Sequence, residues 1–229
     1  MKLAFISDIH SNIYAFKKVI EKIEQIDIEK IFCCGDIVGY STYPKECIKQ
    51  VKKYDIVSVK GNHDYAVAEN NPKGFNPMGV AGVKFNRKKI TDDDLSFLKN
   101  LPEELFFEKD GKKFYMTHGS PRNHLMEYVH PWISDETLKN FSTIKKCDIM
   151  IFGHTHVPMK KQVDDTLFLN PGSVGQPRDG NPNSSFMVLN TDSLKAEWYR
   201  VPYEIDAAVE SVKRTSLPEK IGNRLYQGR

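Results

Sequence analysis

Five short clusters of residue types that bind metals are spread over the first 156 residues of this 229-residue chain, and most directly follow a short apolar run. In order, they are Ser7–Asn12, Gly35-Asp36, Gly61–Asp64, Thr117–Gly119 and Gly153–His156. Five of the seven histidines lie within them. Because the carboxyl ends of neighbouring parallel strands meet at one edge of a sheet, we expect the clusters to form a single site.

The side chains of these clusters suit a pair of divalent metal ions. Such a pair needs one carboxylate that bridges the two ions, with nitrogen and oxygen donors around it. Oxygen and imidazole ligands without thiolate favour Mn, Fe, Zn, Co or Ni, and manganese is the metal we expect first. Any one cluster also fits an ordinary turn, helix cap or exposed strand, whereas five in this order favour a metal site. The candidate ligands are Asp8, His10, Asp36, Asn62, His118, His154 and His156.

The elements that must position these clusters begin as an alternation of strands and helices. Strands are predicted at Lys2–Ser7, Ile31–Cys34 and Ile56–Val59, with a helix capped by Asn12 and another starting at Pro44 between them. This βαβαβ order predicts a parallel sheet with right-handed crossovers.

The later part of the sequence predicts helices first and then mostly antiparallel strands. Residues 65–100 are expected to be mainly helical, with Thr91 and Asp94 forming a helix-capping arrangement. Asp110-Gly111 predicts a hairpin turn, and Ser134 to Phe141 predicts a helix. Further strands are expected at Ile149–Phe152, Val157–Val163, Thr166–Asn170, Ser185–Asn190 and Leu194–Val201, the last four of them antiparallel. A parallel start and an antiparallel finish predict two packed sheets with helices outside.

Composition narrows the possible partners. A net charge of +3 is too small to favour nucleic acid or a membrane surface as partner. The basic residues near the end of the chain are interpreted as a solvated helix face; they are Lys213, Arg214, Lys220, Arg224 and Arg229. No apolar run approaches the ~20 residues that span a bilayer. The four cysteines form no CxxC pair, so we expect free, mostly buried thiols and a cytoplasmic protein.

The ordered set Asp-x-His, Gly-Asp, Gly-Asn-His-Asp, His-Gly and Gly-His-x-His resembles the calcineurin-like metallophosphoesterase superfamily. The resemblance implies a four-layer αββα sandwich of two mixed sheets, in which the later antiparallel strands fit the second sheet. The length of 229 residues and the absence of a long linker predict one domain over residues 1–229, which the resemblance makes a metallophosphoesterase domain. Residues 122–145 interrupt the strand pattern between His118 and His154, so we expect an insertion there, near the active site.

The resemblance further implies two divalent metal ions and a role for each matching residue. Asp8, His10, Asp36 and His156 would hold one ion. Asp36, Asn62, His118 and His154 would hold the other, with Asp36 as the bridge. A hydroxide between the ions would attack phosphorus in line, and His63 would protonate the leaving group as general acid.

One motif of the chain differs from that of the Ser/Thr protein phosphatases, and this difference argues against their activity. The Ser/Thr protein phosphatases of this superfamily carry Gly-Asp-x-x-Asp-Arg-Gly, whereas this chain has Gly35-Asp36-Ile37-Val38-Gly39-Tyr40-Ser41. The chain resembles the smaller prokaryotic phosphodiesterases and phosphatases more closely. Because the phosphate-binding arginine of that motif is missing, Arg122 and Arg178 are the candidates for this role.

The leading hypothesis is therefore a metal-dependent phosphoester hydrolase acting on a small phosphoester or nucleotide. A hydrolase of dinucleotide polyphosphates or other nucleotides is the alternative. A non-catalytic protein-binding scaffold fits less well, since this chain keeps every ligand and the acid histidine. The physiological substrate, the ester preference and the oligomeric state stay open at this point.

Overall fold

The computed structural model describes all residues from Met1 to Arg229. Ten strands and eight helices follow one another along the chain, and a 3₁₀ turn over Arg224–Gln227 comes last. They are β1 (Lys2–Ile6), α1 (Ile13–Ile23), β2 (Lys30–Cys33), α2 (Pro44–Lys53), β3 (Val57–Ser58), α3 (Asn62–Glu69), α4 (Pro77–Arg87), α5 (Asp92–Asn100), β4 (Glu104–Lys109), β5 (Lys112–Thr117), α6 (Asp135–Ile144), β6 (Ile149–Ile151), β7 (Met159–Val163), β8 (Thr166–Asn170), β9 (Ser184–Asn190), β10 (Ala196–Val201), α7 (Ile205–Lys213) and α8 (Lys220–Asn223).

The first sheet has the strand order β10-β9-β1-β2-β3. Strands β1, β2 and β3 are parallel, as the sequence predicts. Asn12 caps α1 by accepting a hydrogen bond from the backbone N–H of Ala15 at 3.3 Å, and Pro44 begins α2. The loops that follow β1 and β2 therefore carry the first two clusters, and the third lies at the start of α3, directly after the loop that follows β3.

The second sheet has the order β4-β5-β6-β8-β7. The hairpin predicted at Asp110-Gly111 joins β4 to β5, while β5, β6 and β8 run parallel to one another. The expectation that the late antiparallel strands lie in the second sheet is wrong for β9 and β10. Both extend the first sheet, with β9 antiparallel to β1 and β10 antiparallel to β9. Strand pairing over such a separation leaves no local pattern in the sequence.

Both sheets pack on both of their faces, because successive side chains of a strand point to opposite faces of its sheet. Leu3 and Phe5 of β1 pack with Phe114 and Met116 of β5 in a core between the two sheets. Ala4 and Ile6 point the other way, into a core that they share with the helices outside the first sheet.

On the far side of the second sheet, Tyr115 packs with Phe141 of α6. The layers are therefore helix, sheet, sheet and helix, and the predicted sandwich of two mixed sheets is confirmed.

Two other expectations concern the whole chain. None of the helices has the length and apolar character that crossing a membrane requires. The cysteines are free, as predicted: Cys33, Cys34 and Cys47 are buried, and Cys147 is partly exposed.

Candidate metal centre

The five clusters meet at one edge of the two sheets. Asp8 follows β1, Asp36 follows β2 and Asn62 follows β3, all in the first sheet. In the second sheet, His118 follows β5 and His154 follows β6. Neighbouring parallel strands thus deliver residues that are far apart in sequence to one buried place.

One group of possible ligand atoms surrounds Asp8. Its Oδ1 lies 3.2 Å from Nε2 of His156 and 3.7 Å from Nε2 of His10. The two Nε2 atoms are 3.1 Å apart. All three side chains are buried and their ligand atoms lie within 4.8 Å of one another, so this group can hold one metal ion.

A second group surrounds His118. Its Nε2 lies 3.0 Å from Nδ1 of His154 and 3.0 Å from Oδ1 of Asn62. The same nitrogen is 3.4 Å from Oδ2 of Asp36. This group can hold another ion with two nitrogen and two oxygen ligands.

Asp36 lies between the two groups. Its Oδ2 is 3.6 Å from Nε2 of His10, a member of the first group, and 3.4 Å from Nε2 of His118, a member of the second. Its other oxygen, Oδ1, accepts a hydrogen bond from the backbone N–H of His63 at 2.8 Å. One carboxylate oxygen therefore faces both groups while the other is fixed to the protein.

Backbone carbonyls orient three of the imidazoles. Nδ1 of His10 contacts the carbonyl oxygen of Val38 at 3.2 Å, that of His118 the oxygen of Cys34 at 2.7 Å, and that of His156 the oxygen of Gln176 at 2.6 Å. A carbonyl oxygen only accepts, so each Nδ1 carries the proton and donates it. Each Nε2 therefore faces the centre as the possible ligand atom, and it offers a lone pair when the imidazole is neutral.

The electrostatics favour the protonation states that a metal ion needs. Burial lowers the pKa of His10 and of His156, and burial with the nearby charge of His118 lowers that of His154 to about 3. The carboxyl pKa values of Asp8 and Asp36 are lowered despite their burial, by the histidines around them.

His118 differs from the other three imidazoles. Burial alone would lower its pKa, but the carboxylate of Asp36 raises it to about 9. Ionised carboxylates and neutral imidazoles are the forms that coordinate metals, so metal binding here would displace the proton of His118.

The arrangement fits metal ions better than it fits a bare protein. Oδ1 of Asp8 is buried without any hydrogen-bond donor. In addition, the nitrogens of His10 and His156 point at each other at 3.1 Å, and both are lone pairs by the tautomers above. A cation bound between Oδ1 of Asp8 and the two Nε2 atoms would give each of these three atoms a partner.

Backbone strain is concentrated at the same residues. Five candidate ligands have a left-handed backbone conformation, which costs an L-residue about 1–2 kcal/mol. They are Asp8 (φ 54°), His10 (φ 49°), Asp36 (φ 56°), His154 (φ 65°) and His156 (φ 61°). The fold supports this strain at the positions that aim side chains into the centre.

Asp64 locks two of the ligand loops together. Its Oδ2 accepts hydrogen bonds from the backbone N–H groups of Asp36 and Gly61, both at 2.9 Å. Its Oδ1 accepts from that of Val38 at 3.1 Å. A side chain on Gly61 would come within 2.1 Å of the Asp36 carboxylate, so the two loops approach as closely as glycine allows.

A cavity of about 190 Å³ opens over the centre. His63 lies on its wall, with its ring centroid 4.5 Å from that of Tyr40 and 4.6 Å from that of Phe75. Nδ1 of His63 is buried without a partner. Burial lowers the pKa of His63 to about 4, so the free protein holds this imidazole neutral at pH 7.

The two candidate phosphate-binding arginines lie in different surroundings. Arg178 lines the cavity over the centre. Arg122 is not among the residues that line it: its guanidinium pairs with Glu127 and lies 4.9 Å from the ring centroid of Phe141. Of these two arginines, Arg178 is therefore the one placed to meet a ligand in this cavity.

The segment at 122–145 reaches the cavity through Met126 and Tyr128. The Tyr128 ring stacks on the His154 ring at 3.8 Å between centroids. His130 stacks on Tyr128 at 5.5 Å, and Trp132 stacks on His130 at 4.5 Å. These four rings, which we call the aromatic stack, lead from a candidate ligand to a tryptophan that is 75% exposed.

Sequence reasoning did not identify Tyr40, Phe75 or Asp64 as part of the site. Asp64 ends the Gly-Asn-His-Asp cluster, and Tyr40 follows Gly39, where a Cβ atom would come within 2.3 Å of Nδ1 of His63. The cluster and the glycine are sequence features that could have indicated Asp64 and Tyr40. Phe75 lies between two helices, and nothing in its local pattern indicates that it reaches the cavity.

Comparison with known proteins adds independent information. The profile of the calcineurin-like phosphoesterase superfamily domain matches residues 1–194. The uncharacterized protein MJ0912 of Methanocaldococcus jannaschii is 36% identical, over 99% of this chain and 98% of that protein.

Phosphodiesterase YfcE of Escherichia coli K12 is 28% identical, over 85% of this chain and 90% of its own length. The crystal structure of a metallophosphoesterase from Sphaerobacter thermophilus covers all of both chains with a TM-score of 0.85 and 28% identity.

Proposed function

The chain belongs to the calcineurin-like phosphoesterase superfamily, and we propose that it hydrolyses phosphodiesters and phosphomonoesters of small, nucleotide-like molecules with two divalent metal ions. The observation that carries this proposal is the pair of ligand groups on either side of Oδ2 of Asp36. The name of YfcE, a phosphodiesterase, supports diester hydrolysis in particular.

The proposed ligand sets are those of the resemblance. Asp8, His10 and His156 hold one ion, and the second is held by Asn62, His118 and His154; Asp36 is shared. When bound, two such ions supply a nucleophile from water at neutral pH and charge that stabilises displacement at phosphorus. Manganese is the metal we propose first.

The remaining side chains of the cavity have separate tasks. Arg178 binds a phosphate oxygen with its guanidinium. His63 donates a proton to the leaving oxygen. Its neutral state in the free protein means that it must first gain a proton, and the negative charge of a bound phosphate favours that.

The aromatic stack gives specific support to nucleotide substrates. Tyr128 borders the cavity, and Trp132 presents an exposed ring at the outer end of the stack. Flat rings beside a phosphate site can hold a nucleobase. Hydrolysis of dinucleotide polyphosphates or other nucleotides is thus the second candidate function.

The proposal is tested by assaying manganese-supplied protein with bis(p-nitrophenyl) phosphate and p-nitrophenyl phosphate, with and without EDTA. We expect hydrolysis that EDTA abolishes and that His156→Ala greatly reduces. His124→Ala is the matched control, because His124 contacts Glu103 and Glu104 and does not belong to either ligand group. Absence of hydrolysis of both esters, or hydrolysis that EDTA and His156→Ala leave unchanged, would contradict the proposal.

A further inference from the structure

Two guanidinium groups from distant parts of the chain lie over the same aromatic ring beside the centre. The guanidinium carbon of Arg178 is 5.8 Å from the ring centroid of Tyr40, and that of Arg224 is 5.9 Å from it. The Tyr40 ring in turn lies 4.9 Å from that of His10 and 4.5 Å from that of His63. Two positive charges therefore meet next to the candidate metal ligands.

Arg178 is fixed from the metal side. Its backbone N–H donates to the carbonyl oxygen of His156 at 3.3 Å. Its Nη2 donates to Oε1 of Gln176 at 2.9 Å, while its Nε is buried without a partner. This guanidinium thus keeps unused donors in the cavity wall.

Arg224 comes from the part of the chain that follows the superfamily profile, which ends at residue 194. Val212, Leu217 and Ile221 pack with Tyr40 in a small buried core. The backbone N–H of Gly180 donates to the carbonyl oxygen of Gly228 at 3.0 Å, which joins this segment to the loop that carries Arg178. The interpretation of Arg224 as part of a solvated helix face is therefore wrong, since tertiary packing turns it toward Tyr40.

Neither of these two guanidinium groups has an aspartate or glutamate side chain as a partner. Arg122 and Arg200 each pair with a carboxylate, whereas Arg178 and Arg224 form no ion pair with any aspartate or glutamate. Nε of Arg224 donates to the backbone oxygen of Arg229. Burial and the neighbouring charge of Arg178 lower the pKa of Arg224, so the two cations repel each other when nothing anionic lies between them.

We propose that Arg178 and Arg224 form a subsite for a second phosphate group of the substrate, next to the phosphate that lies at the metal centre. The preferred substrates then carry at least two linked phosphates, as in a nucleoside polyphosphate. This inference rests on the proposed function, because it places the first phosphate at the metal ions. Bidentate guanidinium–phosphate contacts are strong and directional, which suits the fixed position of both side chains.

Calorimetric titration of the manganese-supplied protein with orthophosphate and tripolyphosphate tests the subsite without relying on turnover. We expect the wild-type protein to bind tripolyphosphate more tightly than orthophosphate. Arg224→Gln should weaken tripolyphosphate binding by about 10–100-fold, the range for a charge-assisted hydrogen bond, and leave orthophosphate binding unchanged. Arg224→Lys, which keeps the charge, should retain part of the affinity.

Arg214→Gln is the matched control, because Arg214 is an exposed arginine of the same segment and, unlike Arg178 and Arg224, does not lie over the Tyr40 ring. All variants are titrated in one buffer, so that chelation of manganese by tripolyphosphate contributes equally. Equal effects of Arg224→Gln on the two anions, or no effect on either, would overturn the subsite. Hydrolysis of bis(p-nitrophenyl) phosphate by the same wild-type preparation tests the proposed function separately.

Discussion

At the scale of single residues, the Asp36 carboxylate faces both ligand groups with one oxygen. Because Oδ2 lies 3.6 Å from Nε2 of His10 and 3.4 Å from Nε2 of His118, Asp36→Asn should weaken both ions together. We expect it to lower phosphoesterase activity more than Asp8→Asn does, and by more than the roughly 10–100-fold that loss of a supporting contact costs. Initial rates of the two variants, measured side by side, check this, and equal residual activities would argue against a bridge.

His63 lies within ligand distance of His10 and Asp36, but the task we propose for it is proton donation. His63→Ala should keep its metal content and lose about 10²–10⁴-fold in rate for an alkoxide leaving group, as is typical of general acid catalysis. The loss should be smaller for p-nitrophenolate, which leaves without a proton. Metal analysis together with kcat for both ester types checks the prediction. If both esters suffer alike, His63 acts in some other way, such as by holding the phosphate.

At the scale of elements, two helices begin with the same capping hydrogen bond, but only one of them also contacts the loops of the candidate metal centre. Asp64 in the first turn of α3 and Asp94 in the first turn of α5 each accept a hydrogen bond from the backbone N–H three residues earlier. Asp64 alone also binds the backbone N–H groups of Asp36 and Val38.

Asp64→Asn should therefore lower both stability and manganese affinity, the latter by roughly 10–100-fold, because an amide cannot accept all three hydrogen bonds. Asp94→Asn is the control and should lower stability slightly by weakening the capping box of α5 without changing metal affinity. Thermal melts and manganese titration separate the two effects. Equal metal affinity in both variants would show that Asp64 has no role beyond its helix.

The segment at 122–145 connects β5 to β6, the strands that deliver His118 and His154, and it carries the aromatic stack. If Trp132 holds a nucleobase, Trp132→Ala should lower kcat/KM for thymidine 5′-(p-nitrophenyl phosphate) by about fivefold, near the lower end of base stacking. The same change should leave methyl p-nitrophenyl phosphate unaffected. Arg122→Ala is the control, since that arginine pairs with Glu127 away from the cavity. If the ratio of kcat/KM for the two substrates is the same in Trp132→Ala as in the wild-type protein, the aromatic stack has only a structural role.

At the scale of the whole molecule, local patterns predict the order of elements well. The parallel strands β1 to β3, the Asn12 cap, the start of α2 at Pro44 and the hairpin at Asp110-Gly111 all appear in the structure. Each of them depends on residues close together in sequence. The convergence of the ligand clusters was also predictable, because parallel strands end at a common edge.

Features that depend on long-range packing were not predictable in this way. Strands β9 and β10 join the first sheet through pairing with β1, which is more than 180 residues away. Arg224 lies over Tyr40 because Val212, Leu217 and Ile221 pack with that tyrosine. Arg122 does not reach the cavity, because it pairs with Glu127. A single sequence does not show which distant residues will pack together, and therefore not which way these side chains point.

Anomalous diffraction from crystals of the manganese-loaded protein tests the central claim, a pair of metal ions that share Asp36, most directly. We predict two peaks per chain. One should lie among Asp8, His10, Asp36 and His156, and the other among Asp36, Asn62, His118 and His154. A single peak, no peak, or two peaks without Asp36 between them would contradict a shared dinuclear centre.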